Sequence, residues 1–104
     1  MEINDTIYQG ESFWIEIPNV TLDGVPVLLA GDVDSFTYEV FNASTGDSLI
    51  PALTGSLAPH PTTAGLWRAK IVAPAAQRIT IQAIAVKGTS EGVWQKTEWV
   101  FARL

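Results

Sequence analysis

The sequence predicts an all-β domain, an immunoglobulin-like antiparallel sandwich of about seven strands. Three observations carry this expectation. Apolar and polar residues alternate with period two over most of the chain. Clusters of turn-forming residues interrupt the alternation every ~8–12 residues, and no stretch sustains a helical period. The 104 residues include no cysteine. This excludes the Cys…Trp…Cys arrangement of antibody domains, and with it disulfides, zinc–thiolate sites and cysteine nucleophiles.

Taken in order, residues 12–17 (SFWIEI) place Phe13, Ile15 and Ile17 on one face and Ser12, Trp14 and Glu16 on the other. Pro18 ends that strand because it has no amide to donate to a ladder. Asp23-Gly24 is a turn signal, and residues 25–29 form a short extended piece around Pro26. Residues 35–41 alternate again, with Phe36, Tyr38 and Val40 opposed to Thr37, Glu39 and Phe41. NASTGD at 42–47 is a dense turn, followed at 48–53 by a short strand broken by Pro51, which suits an edge. Residues 54–64, with Gly55, Pro59 and Pro61, read as loop. Residues 65–73 (GLWRAKIVA) set Trp67, Ala69 and Ile71 against Leu66, Arg68 and Lys70, and residues 74–77 turn the chain. ITIQAIAVK at 79–87 is nearly all apolar, as a strand buried on both faces would be. After a turn at 88–92, residues 93–102 form the last strand, with Trp99 and Phe101 expected inward. The expected core is Phe13, Ile15, Phe36, Tyr38, Val40, Trp67, Ile71, Ile81, Trp99 and Phe101.

Residues 1–104 are expected to form one domain, since no repeat or linker divides them. A chain 47% hydrophobic and 16% charged belongs to the folded class. Such low charge, with four tryptophans, points to apolar surface covered by a partner. The opening MEINDTIYQGE is acidic and has no apolar h-region, so no secretory signal is expected in it. No apolar run reaches the ~20 residues of a membrane-spanning helix, and no membrane partner is expected. Charge divides unevenly. Residues 1–67 carry nine acidic side chains and no Lys or Arg, while 68–104 carry all six basic ones beside Glu91 and Glu98. An acidic chain with no basic cluster is poorly suited to nucleic acid, where phosphate neutralisation supplies most of the affinity. Antiparallel pairing between the halves would cancel the division; without such pairing it would make a dipolar surface fit for docking.

Little in the sequence announces catalysis. His60, the single histidine, lies between two prolines with no nucleophile motif beside it, which suits an exposed loop. Asp32 and Asp34, two apart, would point the same way in an extended segment. With Asp23 or Asp47 they would offer oxygen ligands to a hard cation, although the EF-hand spacing is absent. A carboxylate pair for glycoside hydrolysis would need a cleft that short loops do not build. No catalytic residue, metal ligand or cofactor is therefore expected. Asn19-Val20-Thr21 and Asn42-Ala43-Ser44 match the glycosylation sequon, a motif short enough to arise by chance. Among the aromatics, Trp14 and Trp94 fall out of phase with the expected core, beside Glu16 and Lys96. They are the candidate partner-binding residues, either as anchors of a protein interface or as a second packed face.

GESFWIEI at 10–17, LDGVPVLL at 22–29, a G-x-V spacer, the aromatic strand at 35–41 and TTAGLWRAKI at 62–71 follow one another in a characteristic order. This order resembles the immunoglobulin-like domains of tailed-bacteriophage virion proteins. It is most similar to the N-terminal domain of phage baseplate upper proteins and to related tail, fibre and head-associated proteins. The likeness spans nearly the whole chain, and its motifs encode β-turns. Leu29-Ala30-Gly31 departs from the family's D-L-T-G run, and baseplate proteins continue into larger receptor-holding regions. The resemblance implies a non-enzymatic structural component of a phage virion, in a tail, baseplate, connector or capsid position. It would be synthesised in the host cytoplasm and lodged in the virion. The implied partners are other virion proteins, with self-association as a further expectation. The alternative function, from a different class, is a carbohydrate-binding module that stacks sugars on exposed tryptophans.

Overall fold

The computed structural model describes residues 6–102, and nearly all of its regular structure is β. Glu2, Asp5 and Arg103 of the charge division lie outside the described residues. The strands are β1 (Ile7–Tyr8), β2 (Ser12–Ile17), β3 (Thr21–Leu22), β4 (Val25–Pro26), β5 (Ser35–Asn42), β6 (Thr54–Ser56), β7 (Ala58–Pro59), β8 (Trp67–Val72), β9 (Gln77–Lys87) and β10 (Ser90–Phe101). A 3-10 turn at Ala30–Asp32 precedes β5. One sheet has five strands in the order β1-β10-β9-β5-β6, a second has three in the order β2-β8-β7, and β3-β4 is a hairpin. The chain is an all-β sandwich. Its strand order is immunoglobulin-like: β2, β8 and β7 stand as B, E and D, and β5, β9 and β10 as C, F and G. The count exceeds seven because β1, β3, β4 and β7 are two-residue strands.

Alternation sets the registers. β2 pairs with β8 so that Phe13 faces Ile71, Ile15 faces Ala69 and Ile17 faces Trp67, all on the inner side. A one-residue slip would turn this whole set to solvent. The same register places Glu16 opposite Arg68 and Trp14 opposite Lys70 on the outer side. One acidic position of the first half, Glu16, thus meets a basic position of the second, Arg68, across the ladder. At the β3–β4 hairpin, Asp23 and Gly24 both have positive φ, at 51° and 78°. That is the two-residue turn whose twist matches a hairpin.

Trp67, 1% exposed, lies at the centre of the core. Phe36 stacks obliquely on it with ring centroids 5.0 Å apart, and Trp94 lies 5.3 Å from Phe36 on another side. The indole Nε1–H of Trp67 donates to the Val27 carbonyl at 2.8 Å, so the largest core side chain leaves no polar atom unpaired. Ile15, Phe36, Val40, Trp67, Ile71 and Ile81 are buried as expected, with Phe13 and Tyr38 half-buried against them.

Four expectations are corrected. Trp99 and Phe101 are 58% and 48% exposed, and Trp94 instead turns inward. β9 decides this phase. Its buried residues Ile79, Ile81, Ala83 and Ala85 lie opposite Glu98, Lys96, Trp94 and Gly92 of β10, and directly paired residues share a face. β9 itself is buried on one face only; Thr80, Gln82, Ile84 and Val86 are half-exposed on the other, which no further layer covers among the described residues. In place of a strand at 48–53, Ser48 makes an isolated bridge to Phe41, and the edge strand is β6, within the expected loop. Pro51 interrupts the earlier segment, while Leu49 and Leu53 still pack on the core. Lastly, Asp32 and Asp34 do not act as a pair: Asp32 bonds back to the Leu28 and Leu29 amides, and Asp34 bonds the Gly88 amide.

Candidate docking surfaces

The polar residues with chemical potential are spent on turns. His60 Nδ1 accepts the amide hydrogens of Thr62 and Thr63, each at 3.1 Å, and thereby closes the proline-flanked loop. Asp32 accepts the amides of Leu28 and Leu29 at 3.0 and 2.9 Å, which holds its carboxyl below the ordinary carboxylate value. Lys87 adds a smaller pull in the same direction. Asp34 accepts the Gly88 amide at 2.7 Å and ties the start of β5 to the β9–β10 turn. Asp23 bonds the Ser90 hydroxyl and links the β3–β4 hairpin to the same turn. Asp23 and Asp34 thus converge on the β9–β10 turn, while Asp32 closes the segment before β5. Among the described residues, no three His, Asp or Glu side chains gather where they could hold a metal ion, and no polar residue is buried. Among them, no helix is long and apolar enough to cross a membrane.

Tyr8, Trp14, Trp99 and Phe101 are among the large apolar side chains that remain exposed. Trp14 is 45% exposed on the outer side of the three-stranded sheet, as its phase predicts. The Arg68 guanidinium lies 4.0 Å from its ring centre and the Lys70 ammonium 5.8 Å, so cations from β8 cover part of the indole. Trp94, the second predicted anchor, is not outward. Its indole lies along β10 over Gly92, where an added Cβ would come within 2.7 Å of the ring and 2.9 Å of Leu22. The bare glycine makes this berth possible.

Sequence reasoning missed the outer face of the five-stranded sheet. Trp99, Phe101 and Tyr8 stand out of one corner of it, with the Tyr8 and Phe101 rings 6.3 Å apart and the Arg78 guanidinium 5.9 Å from the Trp99 ring. The signal lay in β9: once its Ile-x-Ile-x-Ala-x-Ala face is taken as inner, antiparallel pairing puts Trp94 and Trp99 on opposite sides.

Between β2 and β10 the sandwich is open. Among the described residues, β1 covers β10 only at Val100 and Phe101, and β2 has no neighbour but β8. The seam is a groove of about 700 Å³. Phe13, Ile15, Ile81 and Trp94 line it, and Lys96 and Glu98, paired at 2.8 Å, stand at its rim. No protein-family model matches the chain, and no curated protein or solved structure is significantly similar to it.

Proposed function

We propose that the chain is a non-enzymatic structural component of a bacteriophage virion that docks on other virion subunits through its sheet faces and edges. One observation supports docking above all. Large aromatic side chains stand outward on both sheets, Trp14 on one and Tyr8, Trp99 and Phe101 on the other. Tryptophan and tyrosine at such positions are the usual anchors of protein interfaces. The engagement of His60, Asp23, Asp32 and Asp34 in loop closure leaves the exposed surface to contact rather than to acid–base chemistry. The resemblance of the strand and turn motifs supplies the virion context.

The test is quantitative mass spectrometry of particles purified by density gradient from cultures expressing this chain. A fixed number of copies per particle is expected. Recovery only in the particle-free lysate would overturn the reading. Carbohydrate binding has one supporting feature, the aromatic row on an open sheet face. A glycan array on which Trp99→Ala abolishes a saturable signal would favour it over docking.

A further inference from the structure

Among the described residues the sandwich has several free strand edges, and they are not alike. β6 is three residues long with Gly55 at its middle, and β7 is two residues ending in Pro59. The free stretch of β10 carries Lys96 and Glu98 in its inward phase. Shortness, proline and inward-pointing charge are the devices by which natural sheets prevent edge pairing. β2 has none of them. It is six residues long, regular, and free of Pro and Gly.

The ladder fixes which of its backbone groups are free. The Ala73 amide donates to the Glu11 carbonyl at 2.8 Å, so residue 11 bonds towards β8. In an antiparallel pair bonding alternates along the strand. Residues 13, 15 and 17 therefore bond to β8, and the N–H and C=O groups of Ser12, Trp14 and Glu16 point out of the edge. Water satisfies this row in the monomer, and a further strand would replace it group for group.

We propose that this strand is β2 of a second copy of the chain. Two copies join antiparallel through residues 12–16 about a two-fold axis at Trp14, merging their three-stranded sheets into one. The sequence of the edge is self-complementary in this register. Ser12 lies opposite the second copy's Glu16, a hydroxyl beside a carboxylate. Phe13 lies opposite the second copy's Ile15 on the inner side, apolar against apolar. Trp14 meets its own symmetry mate. No like charges are opposed, and all three outward-pointing residues bond. Moving the axis to Phe13 or Ile15 leaves one of the three without a partner. The arrangement also sets the second copy's Phe13 and Ile15 beside the mouth of the groove, where the sandwich lacks cover. An interface of this kind is isologous and closes on itself. It concerns the isolated chain and stands apart from the virion reading.

Sedimentation velocity on the full chain, from low micromolar to submillimolar concentration, should show a monomer passing to a dimer. Ser12→Pro and Glu16→Pro each delete an amide that points out of the edge and leave the ladder to β8 intact. Each change counts twice across the axis, so the dimer dissociation constant should rise by roughly tenfold or more while the monomer's circular dichroism and melting stay close to the parent. Trp14→Thr retains the amide and should weaken the dimer less than the two proline changes combined. Hydrogen exchange on the unmodified chain provides a readout that needs no variant. The Ser12, Trp14 and Glu16 amides should slow as concentration rises, while the Val93, Gln95 and Thr97 amides on β10 should not. A monomer at every concentration would overturn the proposal. So would a dimer indifferent to both prolines, concentration-dependent protection on β10, or protection of β2 that is independent of concentration, which would mean another segment of the same chain covers the edge.

Discussion

Replacing Trp67 by alanine removes the side chain on which both sheets converge. At 1% exposure it has almost no contact with water, and it touches Phe36 with centroids 5.0 Å apart. Buried Trp→Ala changes cost about 3–5 kcal/mol, because the apolar transfer energy is lost and the cavity collapses only in part. The same change leaves the Val27 carbonyl without its 2.8 Å donor, which places the loss towards the upper end of that range. A domain of this size has about 5–15 kcal/mol in all, so the variant should be marginal, with Tm lowered by roughly 15 °C or more. Trp67→Phe separates the two contributions. It retains the aromatic contact with Phe36 and deletes the indole donor, at an expected cost of about 1–3 kcal/mol. Urea unfolding followed by far-ultraviolet circular dichroism measures both. A loss below about 1 kcal/mol for Trp67→Ala would show that Trp67 is not central to the core. A Trp67→Phe variant as stable as the parent would refute the hydrogen bond to Val27.

The remaining predictions concern β10 and titration. Trp94→Ala should destabilise the monomer by about 2–4 kcal/mol, whereas Trp99→Ala should cost less than about 1 kcal/mol; the reverse order in urea unfolding would invert the strand's phase. Gly92→Ala should cost about 1–3 kcal/mol and alter the near-ultraviolet signal, since its new Cβ would displace Trp94 and Leu22. Asp32 is held below its ordinary value of 3.8 by two backbone amides, so its contribution is present above that pH and is lost as pH falls through the folded-state value; Asp32→Asn should flatten the acid limb of a stability–pH curve. Burial raises the Tyr38 hydroxyl above its ordinary 10.0, so stability is full below that pH and falls as pH rises past it; Tyr38→Phe should remove this alkaline loss.

The parts of the fold legible in the sequence are those where a single strand carries its own evidence. β2 reads correctly to the residue because Phe13, Ile15 and Ile17 alternate cleanly and Pro18 stops them. The β3–β4 turn reads correctly because Asp23-Gly24 is among the few pairs that accept positive φ at both positions. The segment at 48–59 failed because its strands are too short to show a period. Thr54–Ser56 contains one glycine and two hydroxyl residues, and its pairing with Thr37, Tyr38 and Glu39 is visible only in three dimensions. The engagement of Asp32 by the Leu28 and Leu29 amides is hidden for a related reason: spacing alone does not show the 3-10 turn that brings them together.

β10 is ambiguous in the sequence for a deeper reason, which bears on the proposed docking surface. Val93 to Phe101 alternates a large apolar residue on either phase: Trp94 and Val100 on one, Val93, Trp99 and Phe101 on the other. By bulk alone the second set is the better core. What overrules it is the partner strand, because β9 offers isoleucines and alanines on one side and Thr80 and Gln82 on the other, and burying the latter would strand their polar groups. The loser of that contest, the row of Trp99 and Phe101, is left in solvent with Tyr8 beside it. Exposed aromatic surface on this domain is therefore a consequence of which strand β10 pairs with. The open edge of β2 has a different origin. Its neighbour position is vacant among the described residues because β1 pairs with β10 instead. The anchor expected at Trp94 turns inward, and the outward apolar groups lie instead on the β10 face and around Trp14 on β2, where the proposed contacts are placed.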